Sequence, residues 1–257
     1  MTSRRFAAPL LVALAVAAAP ARAADAVIVQ AEVASSVTAP FKQFVELYQK
    51  MNRSAKVDAK YLGGQVIQGD VESEAPIDFV IVGKNQTDKL AAHIESPVPI
   101  LTNREVVLVQ KGSTKVKSLK DLAAPGIRVA LGTAESAVGS LARGVLKKAI
   151  LDPGYGPDFA QKVRANTTVE AASGVDVVNA VAEGRADAAI AFVSDVDPAR
   201  FSGVQIPPSL NVDSVYYAFV PKSAKHPQRG RELVRLAGSR QGQAILHAYR
   251  YLPPPKS

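Results

Sequence analysis

Short apolar runs alternate with segments of helical periodicity along nearly the whole chain. Strand-then-helix repetition of this kind argues for an α/β architecture with largely parallel sheets. Val27-Ile28-Val29-Gln30-Ala31 reads as a first strand. A helix is expected over residues 37–51, with Pro40 in its first turn, where the missing N–H is no loss. Phe41, Phe44, Val45 and Tyr48 recur there at threes and fours, which marks one buried face. Residues 56–62, 77–82, 104–110, 127–131, 186–193 and 214–220 read as further strands. Residues 138–150, 175–183 and 227–249 read as helices, and the Pro253-Pro254-Pro255 tail is expected to fray.

Ahead of the first strand stands a different kind of segment. Arg4 and Arg5 precede an almost unbroken apolar run, residues 6–19, and Ala21-Arg22-Ala23 then supplies a small-x-small pattern. That is the anatomy of a cleaved secretory signal, and the run is too short for a spanning helix, which needs about 20 apolar residues. Residues 1–23 are therefore expected to be removed, by ordinary secretion rather than the twin-arginine route. The formal charge of +8 includes Arg4, Arg5 and Arg22, so the mature chain keeps about +5. Its cations are scattered without aromatic interleaving, which argues against nucleic acid as a partner. There is no cysteine, which excludes disulfides, thiolate metal sites and a cysteine nucleophile.

Catalytic signatures are missing too. The sequence holds no Gly-x-Ser-x-Gly elbow, P-loop or His-Glu-x-x-His. His93, His226 and His247 are far apart, which leaves ordinary surface roles and no expected metal or cofactor. Asp78 lies in an apolar strand as a catalytic carboxylate would, but a structural role is the better reading.

Ala34-Ser35-Ser36-Val37-Thr38, and later Ala75-Pro76-Ile77-Asp78-Phe79-Val80-Ile81, resemble the opening of the periplasmic molybdate-binding protein family. Asn103-Arg104-Glu105-Val106-Val107-Leu108-Val109, Leu119-Lys120-Asp121-Leu122 and Arg128-Val129-Ala130-Leu131-Gly132 follow in the family's order. So do residues 182–192 and Ser239-Arg240-Gln241-Gly242-Gln243-Ala244-Ile245-Leu246. The resemblance implies a type II periplasmic-binding-protein fold: two α/β lobes, two crossover segments and a ligand cleft between them. Residues 24–104 plus 215–257 would form lobe 1, and 105–214 lobe 2. It also implies a monomeric solute-binding protein that serves an inner-membrane ABC permease. Without a lipidated cysteine such a protein is retained by an outer membrane, so a periplasm is its expected home.

A tetrahedral oxyanion only accepts hydrogen bonds, so its site must offer donors. Helix N-termini do so with free N–H groups and about half a positive charge each. Four turns with small residues are candidates: Ser35-Ser36, Gly63-Gly64, Val138-Gly139-Ser140 and Ser173-Gly174-Val175. Taken singly, Ser36 reads as an N-cap, Gly63-Gly64 as a tight turn and Ser173 as another cap. By the resemblance, the ligand contacts fall on the Ser36 hydroxyl, on Gly64, on backbone N–H groups near Val138 and Val175, and on Phe192. Gly64 stands where the family has a second serine, and Phe192 where it has a tyrosine. Two of three side-chain donors are thus absent, with Gln65, Thr133, Ser140 and Ser173 as possible compensations. Molybdate or tungstate is the first expectation. Phosphate, sulfate, or a small organic carboxylate or phosphate ester whose carbon body lies on Phe192 is the alternative. A periplasmic sensor or an enzyme on the same fold comes further behind.

Overall fold

The computed structural model describes residues 26–255, so the expected signal segment lies outside the described residues. The chain opens with β1 (Val27–Ala34), a 3₁₀ turn (Ser35–Val37) and α1 (Thr38–Met51). It continues through β2 (Ala55–Leu62), α2 (Gly64–Glu72), β3 (Phe79–Gly83), α3 (Lys84–Lys89) and β4 (Val98–Asn103). One residue on it begins β5 (Glu105–Gln110), then β6 (Val129–Gly132), α4 (Ala137–Ala149), α5 (Phe159–Ala165) and β7 (Thr167–Ala171). α6 (Gly174–Ala182), β8 (Ala188–Phe192) and β9 (Phe201–Gln205) follow. β10 (Ser214–Phe219), α7 (Pro227–Gly238) and α8 (Arg240–Ala248) close the chain.

Two five-stranded mixed sheets result, in the orders β2-β1-β3-β10-β4 and β7-β6-β8-β5-β9. In each, three strands run parallel and the fourth runs against them. That fourth place is taken each time by a strand that has just crossed from the other sheet: β10 in the first, β5 in the second. Each sheet has its own apolar packing. Phe41, Phe44 and Tyr48 of α1 pack beneath the first, as their spacing predicts. Ala142, Val145 and Leu146 of α4 pack on the second.

Several sequence expectations need adjustment. The helix expected from residue 37 starts at Thr38, after the 3₁₀ turn. Gly63-Gly64 is no tight turn but the start of α2, hidden in the sequence by two glycines, each costing about 1 kcal/mol of helix propensity. The helices expected over 227–249 are two, as read, parted where the Ser239 hydroxyl accepts the Gly242 amide at 3.1 Å and caps α8. Edge strands β7 and β9 carry polar, partly exposed residues and lack the apolar run that reveals a central strand. Asp78 is structural: its buried carboxylate accepts the amides of Gln30 (3.0 Å) and His226 (2.6 Å), tying β1 to the start of α7.

Gly139, in the first turn of α4, packs against the end of β6. A Cβ there would overlap the carbonyls of Thr133 and Gly132. Gly139→Ala is therefore expected to push α4 off the sheet and cost about 2–3 kcal/mol by overpacking, measured by urea denaturation. A loss below about 0.5 kcal/mol would show that α4 is not seated by this contact.

Candidate functional site

Parallel strands place every following helix start on the same sheet edge. Ala34 pairs with Leu62, so the turns carrying Ser36 and Gly64 lie side by side, about 4.8 Å apart along the sheet. Gly132 pairs with Ala171, which sets the α4 and α6 starts beside each other in the second sheet. The first turn of a helix leaves N–H groups without intrahelical acceptors. Among the described residues the amides of Ser36, Gly64, Val138 and Val175 have no hydrogen-bond partner.

The crossovers bring the two edges together. Asn103 ends β4 and its side-chain amide donates to Ser194 Oγ at 2.9 Å. Ser194 lies in the 3₁₀ turn (Val193–Asp195) that follows β8. Ser36 Oγ donates to the Tyr216 hydroxyl at 3.0 Å, and the Tyr251 hydroxyl donates to the Ser36 carbonyl. Ser36 thus holds both tyrosine hydroxyls at the first edge, and the Asn103–Ser194 bond joins that edge to the second. Asp195 Oδ2 accepts the Phe192 amide at 3.3 Å and lies within 3.6 Å of the Cβ position of Gly174, at the start of α6.

The five residues singled out in the sequence fare differently. Ser36 sits in the hydroxyl network, and its side chain makes no cap bond, so the N-cap reading is corrected. Gly64 begins α2, and the place a side chain would take there is met by the Gln86 amide group at 3.2 Å. The sequence reading missed Gln86, which comes from α3; the atoms at that place are its Cδ and its acceptor oxygen Oε1. The Val138 side chain is buried and that of Val175 is 69% exposed, which leaves their amides as the groups on offer. The Phe192 ring is 4% exposed and packs with Val138 and Val177, so it does not provide the open apolar wall considered for an organic ligand. Of the compensations considered, Ser173 is committed to capping α6, and Gln65 and Ser140 are exposed to solvent. Tyr216 and Tyr251 were not singled out. The signal was faint: a tyrosine at the start of the returning strand, and another just past the last helix.

Comparison with known proteins fits this geometry. Residues 29–252 match the family model for bacterial extracellular solute-binding proteins. Over 247 residues the chain is 26% identical to the molybdate-binding protein ModA of Mycobacterium bovis, covering 92% of this chain and 88% of that one. A Clostridium difficile substrate-binding domain assigned to a molybdenum ABC transporter superposes with a TM-score of 0.76 at 22% identity, covering 90% of this chain and all of that one (100%). The periplasmic molybdate-binding protein of Azotobacter vinelandii gives a TM-score of 0.70 at 17% identity, covering 88% and 100% of the two chains. The fold is the two-lobed type II fold of periplasmic binding proteins.

Two carboxylates set the electrostatics of the seam. Glu105, the first residue of β5, is fully buried, and among the described residues neither of its carboxylate oxygens has a partner. Burial pushes its pKa well above the usual carboxylate range, and the charge of Asp195 pushes the same way. Asp195 is half-buried and is raised by burial to about 6, against the Phe192 amide, which pulls it down. Burial likewise raises the Tyr216 and Tyr251 hydroxyls, which stay neutral donors. Glu105 has a folded value above its unfolded 4.5, so its stabilising share is complete below that pH and is lost as pH rises through the folded value. Wild-type melting temperature is expected to fall from about pH 5 to about pH 8, and Glu105→Gln to flatten that fall. Parallel curves for the two proteins would contradict the burial of an unpaired carboxyl.

Proposed function

Because the chain belongs to the bacterial extracellular solute-binding protein family, we propose that it captures a small oxyanion, molybdate or tungstate foremost, between its lobes. It is a binding protein, not an enzyme. In this reading residues 24–104 plus 215–257 form lobe 1 and 105–214 lobe 2. The protein works as a monomer in the periplasm after loss of residues 1–23 and delivers its anion to an inner-membrane ABC permease. The observation that carries the reading is the set of four uncommitted helix starts, at Ser36, Gly64, Val138 and Val175, beside neutral hydroxyl donors.

Donors of this kind suit a compact anion. Each helix start brings about half a positive charge, and no mobile cation has to be ordered to meet the ligand. In this reading the hydroxyl absent at Gly64 is replaced by the Gln86 amide group, which occupies that place and donates once its nitrogen turns toward the ligand. The Tyr216 hydroxyl, bonded to Ser36, stands in for the donor that Phe192 lacks. A tetrahedral anion drawn into the cleft exchanges the bonds within this network for bonds to its own oxygens. Charge-assisted bonds to an anion are roughly twice as strong as neutral ones, so the exchange is favourable.

A thermal-melt screen with molybdate, tungstate, sulfate, phosphate and small organic anions tests the ligand. A bound anion at a hundred times its Kd adds about 2.7 kcal/mol to the folded state. Stabilisation by organic anions alone would overturn the molybdate reading and leave the fold untouched. Ser36→Ala and Tyr216→Phe are each expected to weaken binding of the selected anion about tenfold or more, the loss of one charge-assisted bond. Calorimetric titration decides this, and unchanged affinity in both variants would move the site away from the β1 turn.

A further inference from the structure

We propose that the site takes up its oxyanion together with one proton, carried by Asp195. The inference rests on the anion reading above and deepens it. Asp195 lies against the first turn of α6 and directly follows Ser194, which accepts the Asn103 amide, with the buried Glu105, its carboxylate unpartnered, in strand register with the adjoining Phe192.

An ionised carboxylate is a poor neighbour for a dianion, since both only accept hydrogen bonds and both are negative. The same group protonated becomes a donor. Oδ2 of Asp195 already accepts the Phe192 amide, which leaves Oδ1 to carry the proton and donate it to an oxygen of the anion. One proton leaves solvent for each anion bound, and no bond within the anion breaks. Burial favours the protonated form. The Asp195 charge is felt by the uncompensated Glu105 on β5, by Tyr216 on β10 and by Tyr251 after α8. Asp176 in the first turn of α6 adds a further negative group. At the crossover Arg104 pairs through one terminal nitrogen with Asp213 at 3.2 Å, while its buried Nε has no partner among the described residues, and Arg250 points a guanidinium N–H at the Ser194 carbonyl at 3.5 Å. Asp195 has no ion-pair partner among the described residues. With Asp195 raised to about 6, the free protein holds this carboxyl largely ionised at neutral pH, and the arriving anion draws the proton in.

The linkage sign is definite. Affinity for a fully ionised anion is highest below the Asp195 value and falls as pH rises, by about tenfold per unit once the group is ionised in the free protein. Molybdate and sulfate stay fully ionised from about pH 5.5 to about pH 8.5, so a change in their affinity reports on the protein. Calorimetry with both anions, in buffers of different ionisation enthalpy, is expected to show uptake of close to one proton at pH 8 and a falling affinity. Asp195→Asn should flatten the pH profile and bind at least tenfold more tightly than wild type at pH 8. Asp195→Ser should likewise lose the slope, and this variant decides the matter if Asp195→Asn fails to fold. A wild-type affinity independent of pH, or a slope that survives in Asp195→Asn, overturns the proton coupling and leaves anion binding standing. If no anion binds at any pH, the anion reading falls, and this inference with it.

Discussion

Asn211 and Glu105 hold the two crossover segments side by side. The Asn211 amide donates to the Glu105 carbonyl at 2.7 Å, and its oxygen accepts the Glu105 amide at 3.2 Å. Both residues are buried, and buried backbone groups need partners. An asparagine side chain supplies both at the point where the β5 ladder ends. The neighbouring bonds depend on that placement. Asn103 pairs with Ser214 across β4 and β10, and Arg104 reaches Asp213. With the segments registered in this way, the Asn103–Ser194 bond joins the carboxyl edges of the two sheets at one seam.

The seam uses two kinds of polar group with opposite demands. Helix N–H groups, hydroxyls and side-chain amides are neutral and serve an acceptor-only ligand at little cost in desolvation. Glu105 and Asp195 are acids held where charge is unwelcome. Burial of an unpaired carboxylate is expensive enough that such groups take up a proton instead. Their presence makes the electrostatic state of the cleft depend on pH, while the donors around them are insensitive to it. Selectivity at such a site comes from matching the number of donors and protons to the ligand, not from net positive charge.

The strand–helix order, the buried face of α1 and the absence of catalytic signatures were all legible in the residues. So were the four turns, since small residues between an apolar strand and a periodic helix have few uses. Their partners were not. Gln86 lies over Gly64 because α3 follows β3, which stands on the far side of β1 from β2. Tyr216 meets Ser36 across 180 positions of sequence. The replacements near each turn in sequence were Gln65, Thr133, Ser140 and Ser173; of these Gln65 and Ser140 are turned to solvent and Ser173 is spent on a cap.

What the sequence determined by itself was local: which segments become strands or helices, which face of each is apolar, and where each helix begins. These follow from periodicity and from the N–H groups that any helix leaves unpaired. The tertiary structure alone decided which of those starts share a cleft, that Ser36 bonds a tyrosine and caps nothing, and that the Phe192 ring turns into the core. It also alone decided that Glu105 is left without a partner. Each of these turns on strand order and crossover geometry, which place residues far apart in the chain within a few ångströms, and no pattern in the residues between them records that distance.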